Sequence, residues 1–484
     1  MELRPQPETQ RRLLHMIVDR YDPVNLSELI PELRLQMEPE LAQLDRLLDD
    51  DEIFLRIKAD FSKRRPNSER LGRRSTPVEV ILRMLLVRRL YDWSFEATER
   101  NVSDSLILRQ FCRLYLEAAP DDTTLIRWAK LIGPKTLECL NERVVALAFE
   151  RKLTRGRKLR TDATVVETNI CHPTDSGLLN DGVRVLGRLM GKAKEILGVS
   201  GEVFRNRTRS AKRLARSIAE RARRRRGEGA KEALKDAYER LTGVAKASLK
   251  QAGKVREMLR EMLREMLREM LRSEERRGLA EELERFEGLV ERVVEQTERR
   301  VLEGESVRAA EKLVSIFEEH TSIIRRGKAG RETEYGHKVW LEETEGGIIS
   351  GYRVLEGNPA DQDQLLSALQ RHEESFGKPP RLVAADRGVY SPDNERECQE
   401  RGIERVCLPK PGNKSERRRE YERQGWFRRG MRFRAGIEGR ISVSKRRGFL
   451  GRCRDRGEEG FDRWVGWGVI CSNLSTIARK MTTR

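Results

Sequence analysis

The chain has 484 residues, which is more than one ordinary hydrophobic core needs and is enough for about two to four domains. Its 98 Lys and Arg residues exceed its 79 Asp and Glu residues, so the formal net charge is +19. No apolar run approaches the ~18 residues of a membrane-spanning helix, and the N-terminal residues lack the apolar segment of a secretory signal. We therefore expect neither a membrane protein nor a secreted disulfide-stabilised domain.

The charge and the cysteines indicate the kind of partner and the compartment. The excess of Lys and Arg favours a nucleic acid, because cations gain affinity by releasing phosphate counterions. The alternative is a basic surface that only keeps the protein soluble. The seven cysteines are scattered and form no CxxC pair, so we expect reduced thiols in a cytosolic protein and no zinc site.

The N-terminal third has helical periodicity. Residues 1–61 are predicted to form a helical segment, and a polar connector follows. Thr76 is the expected N-cap of a strong helix with Pro77 as its first residue, and further helical patterns predict an all-α domain over residues 76–150. Arg109 and Arg127 are candidate DNA contacts if this domain resembles a helix-turn-helix; the alternative is a helical bundle with ordinary surface charge.

The middle of the chain is helical and highly charged. We predict that residues 186–325 form a basic insertion arm, in which a fourfold REML repeat (Arg256 to Leu271) indicates a long helical hairpin or coiled coil. Arg223 and Arg224 lie in its most basic run and are candidate DNA contacts. The alternative is a solvated helical face.

Strand patterns precede and follow this arm. The alternating, β-branched segment after Lys158 predicts a first strand, and a hairpin is expected around Gly346–Gly347. Alternating helices and short strands then follow, including the apolar run from Leu382 to Ala385. The order predicts an α/β domain, made of residues 155–185 and 333–480, that the helical arm interrupts.

Three acidic residues are placed where functional groups are common. Asp162 lies within the first strand, where a buried carboxylate is costly unless it is paired or metal-bound. Asp386 directly follows the apolar run, at the carboxyl end of a buried strand. Glu438 lies four residues after Arg434 and seven before Lys445, so one helix face would carry all three. For each acid alone, the alternative is a structural role, as a turn cap or a surface ion pair.

These segments together resemble a known family. The resemblance is to the three acidic blocks of bacterial insertion-sequence transposases of the DDE class, in the insertion sequence four/five superfamily. The matching segments are Thr161–Glu167, Ala385–Asn394 and the R-x3-E-x6-K set of Arg434, Glu438 and Lys445.

Two further features bear on this resemblance. Residues 76–131 are similar to the helical N-terminal domain of those enzymes. Met431 stands where the family usually has a Tyr, and Phe433 and Trp426 are the nearby aromatic residues.

The resemblance implies a fold and an activity. The fold would be a ribonuclease H-like mixed sheet with helices on both faces. The activity would be cleavage at the ends of an insertion element and joining of the 3′-hydroxyl to target DNA. Asp162 would bridge two Mg²⁺ ions (Mn²⁺ can substitute), Asp386 and Glu438 would each hold one, and Arg434 and Lys445 would clamp phosphates.

The implied partners are double-stranded DNA, as element ends and target, and further copies of the chain in a homodimer or higher nucleoprotein assembly. The implied location is the bacterial cytoplasm, in association with the nucleoid when bound. One alternative is a catalytically inactive, transposase-derived DNA-binding protein that acts as a repressor or architectural factor. Another is a structural protein that assembles through the helical arm.

Overall fold

The computed structural model describes residues 15–16, 18–22, 36–63, 73–198, 204–223, 229–265, 270–325 and 333–483. Much of the predicted N-terminal segment 1–61, and residues 266–269 of the fourfold repeat, therefore lie outside the described residues. The chain divides into two compact units, Met1–Glu167 with His337–Arg484, and Thr168–Gly336. Within the described ranges, no helix has the length and apolar character needed to span a bilayer.

The protein is mixed α/β and mostly helical. The helices before the first long strand are α1 (Pro39–Leu48), α2 (Asp51–Ser62), α3 (Val78–Leu90), α4 (Phe95–Asp104), α5 (Leu106–Phe111), α6 (Asp122–Ala129) and α7 (Pro134–Glu150). Those after it are α8 (Asp175–Leu197), α9 (Thr208–Arg223), α10 (Ala230–Glu265), α11 (Met270–Thr297), α12 (Leu365–Phe376), α13 (Pro392–Glu400), α14 (Glu416–Arg423), α15 (Gly425–Arg446) and α16 (Glu458–Thr482). The longer strands are β1 (Lys158–Glu167), β2 (Ser322–Arg325), β3 (Thr333–Thr344), β4 (Ile348–Leu355), β5 (Leu382–Ala384) and β6 (Arg405–Cys407).

Helix α3 starts differently from the sequence prediction. Pro77, with ψ of 143°, is the N-cap, and Val78 is the first helical residue, so the prediction of Thr76 as cap was wrong. The N–H groups of Val78 and Glu79 instead donate to the carbonyls of Val18 and Asp19. Because backbone from another segment satisfies the first turn, no side-chain cap is needed.

A mixed sheet forms the centre of the first unit, with strand order β4–β3–β1–β5–β6. Strands β1, β5 and β6 are parallel, whereas β3 and β4 form an antiparallel hairpin. The carboxylate of Glu345, just after β3, accepts hydrogen bonds from the N–H groups of Arg157 and Lys158 at the start of β1. Strand β3 therefore runs antiparallel to β1.

The predicted hairpin around Gly346–Gly347 is confirmed. These two residues join β3 to β4 with φ values of 88° and 74°, a region that residues with a Cβ rarely adopt. A Cβ on Gly346 would lie 2.2 Å from the carbonyl oxygen of Leu153, so close packing also requires glycine there.

Helices cover both faces of this sheet. On one face α12 and α13 pack against Leu159, Trp340 and Val383. On the other face Ile437 of α15 and Trp464 of α16 pack against Val339 and its neighbours. The remainder of α16 shares a hydrophobic cluster with α1 to α7, so residues 76–150 belong to the first compact unit.

The second unit is a helical assembly that the chain inserts between β1 and β3. Its core joins apolar residues of α8, α9, α10 and α11. Helices α10 and α11 run antiparallel, since Lys246 pairs with Glu298 at 2.6 Å and Arg260 with Glu284 at 2.9 Å. Strand β2 pairs antiparallel with the first residues of β3, 333–336.

Candidate active site

Two adjacent parallel strands bring Asp162 and Asp386 together. In the β1–β5 register, Arg160 is opposite Ala384, and the two aspartates each lie two residues further along. Side chains two residues apart share a face of a strand, so this register places both carboxylates on the same side at the carboxyl end of β5. Asp386 also accepts a hydrogen bond of 2.9 Å from the N–H of Gly388, which orients its carboxylate.

Helix α15 adds the third carboxylate and a cation. The helix is confirmed over Arg434, Glu438 and Lys445, and Ile437 buries its inner face against the sheet. The Arg434 Nη2 atom lies 3.1 Å from Asp162 Oδ2 and 4.0 Å from Asp386 Oδ2, and Nη1 pairs with Glu438. One guanidinium thus contacts all three predicted acids.

The burial of these groups decreases outward from the strand. The side chains of Asp162 and Arg434 are 16% and 15% exposed, whereas that of Glu438 is 62% exposed. Burial raises the pKa of Asp162, and the charges of Asp386 and Glu438 raise it further, while Arg434 and the N–H of Ala163 lower it. The Asp162 pKa remains above its ordinary value because desolvation by burial, with the charges of Asp386 and Glu438, outweighs the effect of Arg434 and the Ala163 N–H.

The donor set suits a hard divalent cation, because carboxylate oxygens are the ligands that Mg²⁺ prefers. Among the described residues, no group of three His, Cys, Asp or Glu side chains lies close enough together to hold one metal ion. A cation that balances these acids in this structure is Arg434, whose buried Nε finds no hydrogen-bond acceptor in the described ranges.

Lys445, predicted to bind a phosphate, lies at the far end of α15. Its Nζ atom donates a 2.7 Å hydrogen bond to the carbonyl oxygen of Val165 in β1. In this conformation Lys445 holds the end of the helix against the strand.

The other predicted DNA-binding arginines have different environments. Arg109 is half-buried and donates to the carbonyls of Tyr115 and Glu117 at 2.9 and 2.7 Å, so it fastens the loop after α5. Arg127 is exposed on α6, and Arg223 is exposed at the end of α9. Arg224 lies outside the described residues.

The sequence analysis missed the ion pair that positions α15. Arg160, on β1, pairs with Glu343 of β3 at 2.8 Å and donates to the carbonyl of Phe433 on α15. Glu343 is 1% exposed and also lies 3.6 Å from Arg440 of the same helix. The sequence does carry a sign of this contact, a glycine at position 436 within the predicted helix. In the structure, a Cβ on Gly436 would lie 2.2 Å from Arg160 Nη1.

Met431 and the aromatic residues near it are packed against other side chains. Met431 and Trp426 contact a small hydrophobic cluster formed by Leu382, Cys407 and their neighbours. The ring of Phe433 lies 4.6 Å beneath the Arg160 guanidinium. Phe433 therefore supports the Arg160 ion pair.

Comparison with known proteins agrees with a role in transposition. Residues 26–131 match the family described as Transposase domain (DUF772). The chain is also 30% identical over 151 residues to the uncharacterised protein ORF8 in the nfe locus of Rhizobium meliloti. The aligned residues make up 30% of this chain and 70% of that protein. No solved structure matches the chain. The chain carries a transposase domain, and it belongs to the same family as the Rhizobium meliloti protein.

Proposed function

We propose that the protein is a DNA transposase of the DDE class, which cleaves at the ends of its insertion element and joins the 3′-hydroxyl to target DNA. The observation that carries this proposal is the meeting of three acids from remote segments, Asp162, Asp386 and Glu438, around Arg434. A row of surface ion pairs along one helix would not combine acids from two parallel strands with an acid from a separate helix. The transposase domain at residues 26–131 supports the same activity class.

The sheet supports the ribonuclease H-like part of this proposal. Numbered in chain order within the first unit, the strands lie in the order third, second, first, fourth, fifth, and the second strand is antiparallel to the first. Asp162 lies on the first strand and Asp386 follows the end of the adjacent fourth strand by two residues, at the centre of the sheet. The ends of adjacent parallel strands are where open α/β sheets assemble their functional groups.

The three carboxylates suit a divalent cation by their chemistry, although in this structure they surround Arg434 and do not lie close enough together to hold one ion. Asp162, Asp386 and Glu438 would bind it, because three carboxylates with one arginine leave an excess of negative charge that a cation would neutralise. When bound, such ions would polarise the scissile phosphate and the attacking oxygen. Until then Arg434 keeps the acids together, and its planar guanidinium also suits a phosphate oxygen.

DNA is the proposed substrate and partner. The formal charge of +19 favours a polyanion, and the exposed Arg127 and Arg223 are available for phosphate contacts. Transposition joins two element ends to one target, so we propose a homodimer or higher nucleoprotein assembly in the bacterial cytoplasm.

The test compares three carboxylate substitutions with a matched control. Asp162→Asn, Asp386→Asn and Glu438→Gln should each abolish Mg²⁺- or Mn²⁺-dependent nicking of a supercoiled plasmid that carries the sequences flanking this gene. DNA binding measured in EDTA should survive. The control is Asp393→Asn, whose carboxylate is 77% exposed and, among the residues that the structure describes, pairs with a neighbouring arginine on α13.

A second readout does not depend on activity. Mg²⁺ should raise the melting temperature of the wild-type protein and of the control by mass action on the folded state, and it should not raise that of the three variants. Full nicking by any one of the three variants would remove that residue from the site. A Mg²⁺-induced shift that is equal in all five proteins would show that these carboxylates do not bind the cation.

The position of Arg434 favours one second candidate, a catalytically inactive, transposase-derived DNA-binding protein. An arginine that contacts all three acids can replace a metal ion permanently as their counter-charge. This candidate predicts specific binding to the element ends without nicking in either Mg²⁺ or Mn²⁺. It also predicts that Mg²⁺ leaves the melting temperature unchanged.

A further inference from the structure

A separate pocket of about 400 Å³ lies within the first unit, between α3, α6 and the segment that leads into α16. Apolar side chains form one part of its wall, among them Leu85, Phe95, Ile126 and Trp467. Cations form the other part: Arg88, Arg89, Lys130, Arg454, Arg456 and Arg463. None of these residues belongs to the carboxylate site.

The wall of this pocket carries more cationic side chains than carboxylates. Asp455 is the acid in the wall and pairs with Arg88 at 2.7 Å. Arg454 and Arg463 pair with acids beside the pocket, Asp92 at 2.7 Å and Glu459 at 3.1 Å. Lys130 and Arg456 are exposed, and within the described part of the chain neither pairs with a carboxylate.

Arg89 adds a buried charge to this excess. It is 1% exposed, its nearest carboxylate oxygen belongs to Asp92 at 3.9 Å, and it donates to the carbonyl of Phe449 at 2.8 Å. Burial lowers the pKa of Arg89 to about 10, since carbonyls and the ring of Trp464 only partly replace water around the charge.

Two buried donors in the wall also lack acceptors. The Nε atoms of Arg88 and Arg89 are buried, and the residues that the structure describes offer neither of them an acceptor, although buried N–H groups in folded proteins are almost always paired. The guanidinium of Arg88 stacks on the ring of Phe95, with Cζ 3.8 Å from the ring centroid, and its Nη2 pairs with Asp455. These two atoms are closed to a water-sized oxygen in this structure, so an anion in the pocket would contact the exposed cations of the wall, Lys130 and Arg456.

We propose that this pocket binds a nucleotide unit, that is, a phosphate group joined to a planar ring. Arginines prefer phosphate oxygens, and the apolar wall provides a surface for the ring that an inorganic anion would not need. The volume of 400 Å³ is in the range of small-molecule sites. The unit belongs either to a free mononucleotide or to a strand of DNA, and the two sources share this chemistry.

The test uses the full-length protein and two exposed cations of the pocket. Deoxyadenosine monophosphate, deoxyadenosine, inorganic phosphate and a short DNA duplex are titrated by calorimetry into the wild type and the double variant Lys130→Gln/Arg456→Gln. The matched control is Arg46→Gln/Lys378→Gln, which removes the same charge at two exposed positions away from the pocket. Because all four wild-type side chains are exposed, neither double variant should fail to fold.

We expect the monophosphate to bind more tightly than either deoxyadenosine or phosphate. The pocket variant should weaken this binding about tenfold or more, as loss of charge-assisted hydrogen bonds does, and the control less than about twofold. If only the duplex binds, and only the pocket variant weakens it, the nucleotide is part of a DNA strand. Equal affinities of the pocket and control variants for every probe, or measurable binding of monophosphate and phosphate with the same affinity, would overturn the proposal.

The outcome is separable from the proposed cleavage activity. The pocket variant retains Asp162, Asp386 and Glu438, so its Mg²⁺-induced rise in melting temperature should equal that of the wild type. Loss of nucleotide binding with this rise intact would locate the defect in the pocket.

Discussion

Arg434 is the residue on which the geometry of the candidate site depends. Its guanidinium contacts carboxylates from β1, from the turn after β5 and from its own helix. Burial disfavours the ionised form of Asp162, the charges of Asp386 and Glu438 add to this effect, and Arg434 and the Ala163 N–H offset only part of the sum. The net result is a raised pKa at Asp162, the most buried of the three acids.

This raised pKa predicts that Asp162→Asn stabilises the protein near neutral pH. Because the folded-state pKa of Asp162 lies above the unfolded one, its ionisation costs folding free energy as pH rises through the folded value. Asn resembles the protonated acid and avoids that cost. Urea unfolding without divalent ions should give a higher free energy of unfolding for the variant at pH 7, and the difference should vanish as pH falls towards the unfolded pKa.

The exposed carboxylate of Asp393 provides the control for this measurement. Asp393→Asn should leave the free energy of unfolding within about 0.5 kcal/mol of the wild type at every pH, as surface substitutions usually do. If Asp162→Asn were instead less stable than the wild type at pH 7, the ion pair with Arg434 would outweigh the desolvation of Asp162.

At the scale of elements, helix α15 sets the position of Arg434 and Glu438. Two of its glycines face close neighbours, because a Cβ on Gly430 would lie 2.2 Å from Cys407 Sγ and one on Gly436 would lie 2.2 Å from Arg160 Nη1. Glycine weakens a helix by about 1 kcal/mol relative to alanine. Glycine is needed at these two positions because the helix lies close to the sheet there. Beside Gly436, Arg160 also needs room to contact Glu343 and Phe433.

The glycines of α15 give a matched pair of substitutions. Gly436→Ala should displace the Arg160 guanidinium and lower the free energy of unfolding by about 1 to 3 kcal/mol, as overpacking does. Gly439→Ala has no heavy atom within 4 Å of the new Cβ and should stabilise the helix by up to about 1 kcal/mol. Denaturant unfolding of both variants checks the stabilities, and Mg²⁺-dependent nicking should fall only for Gly436→Ala.

A contrary result would change the interpretation of α15. Equal stabilities of the two alanine variants would mean that Arg160 can move at no cost. The buried Arg160–Glu343 pair would then not fix the helix on the sheet.

At the scale of the whole molecule, the second unit is an insertion in the chain between β1 and β3. The hydrophobic clusters of the first unit draw all their members from Met1–Glu167 and His337–Arg484. The entry and exit of the insertion lie side by side, since the N–H of Thr168 donates to the carbonyl of Tyr335 at 3.0 Å. A chain that leaves and returns at neighbouring positions can be shortened there with little strain.

Replacing residues 170–333 by a two-residue Asn-Gly turn should therefore leave a folded first unit. This turn matches the twist of antiparallel strands such as those that meet at Thr168 and Tyr335. Circular dichroism should show less helix but cooperative unfolding, and the Mg²⁺-induced rise in melting temperature should persist. Loss of cooperative unfolding would show that the first unit needs the insertion to fold.

Local patterns in the sequence predicted much of the secondary structure. The β-branched alternation of β1, the Gly346–Gly347 turn and the helix through Arg434, Glu438 and Lys445 are confirmed. Each depends on backbone preferences and side-chain spacing within one element. The start of α3 was not predictable in this way, because its first N–H groups bond to Val18 and Asp19, far away in the chain.

The sequence by itself determined the basic charge, the element types and the three acids that resemble a transposase. Tertiary structure alone decided that Arg434 contacts all three acids, that Arg109 and Lys445 bond to backbone carbonyls, and that Arg160 and Glu343 fix α15. The physical reason is that a side chain's partner depends on strand register, on helix packing and on how a loop folds back, and most of these contacts join different segments of the chain. Local periodicity carries no information about such contacts.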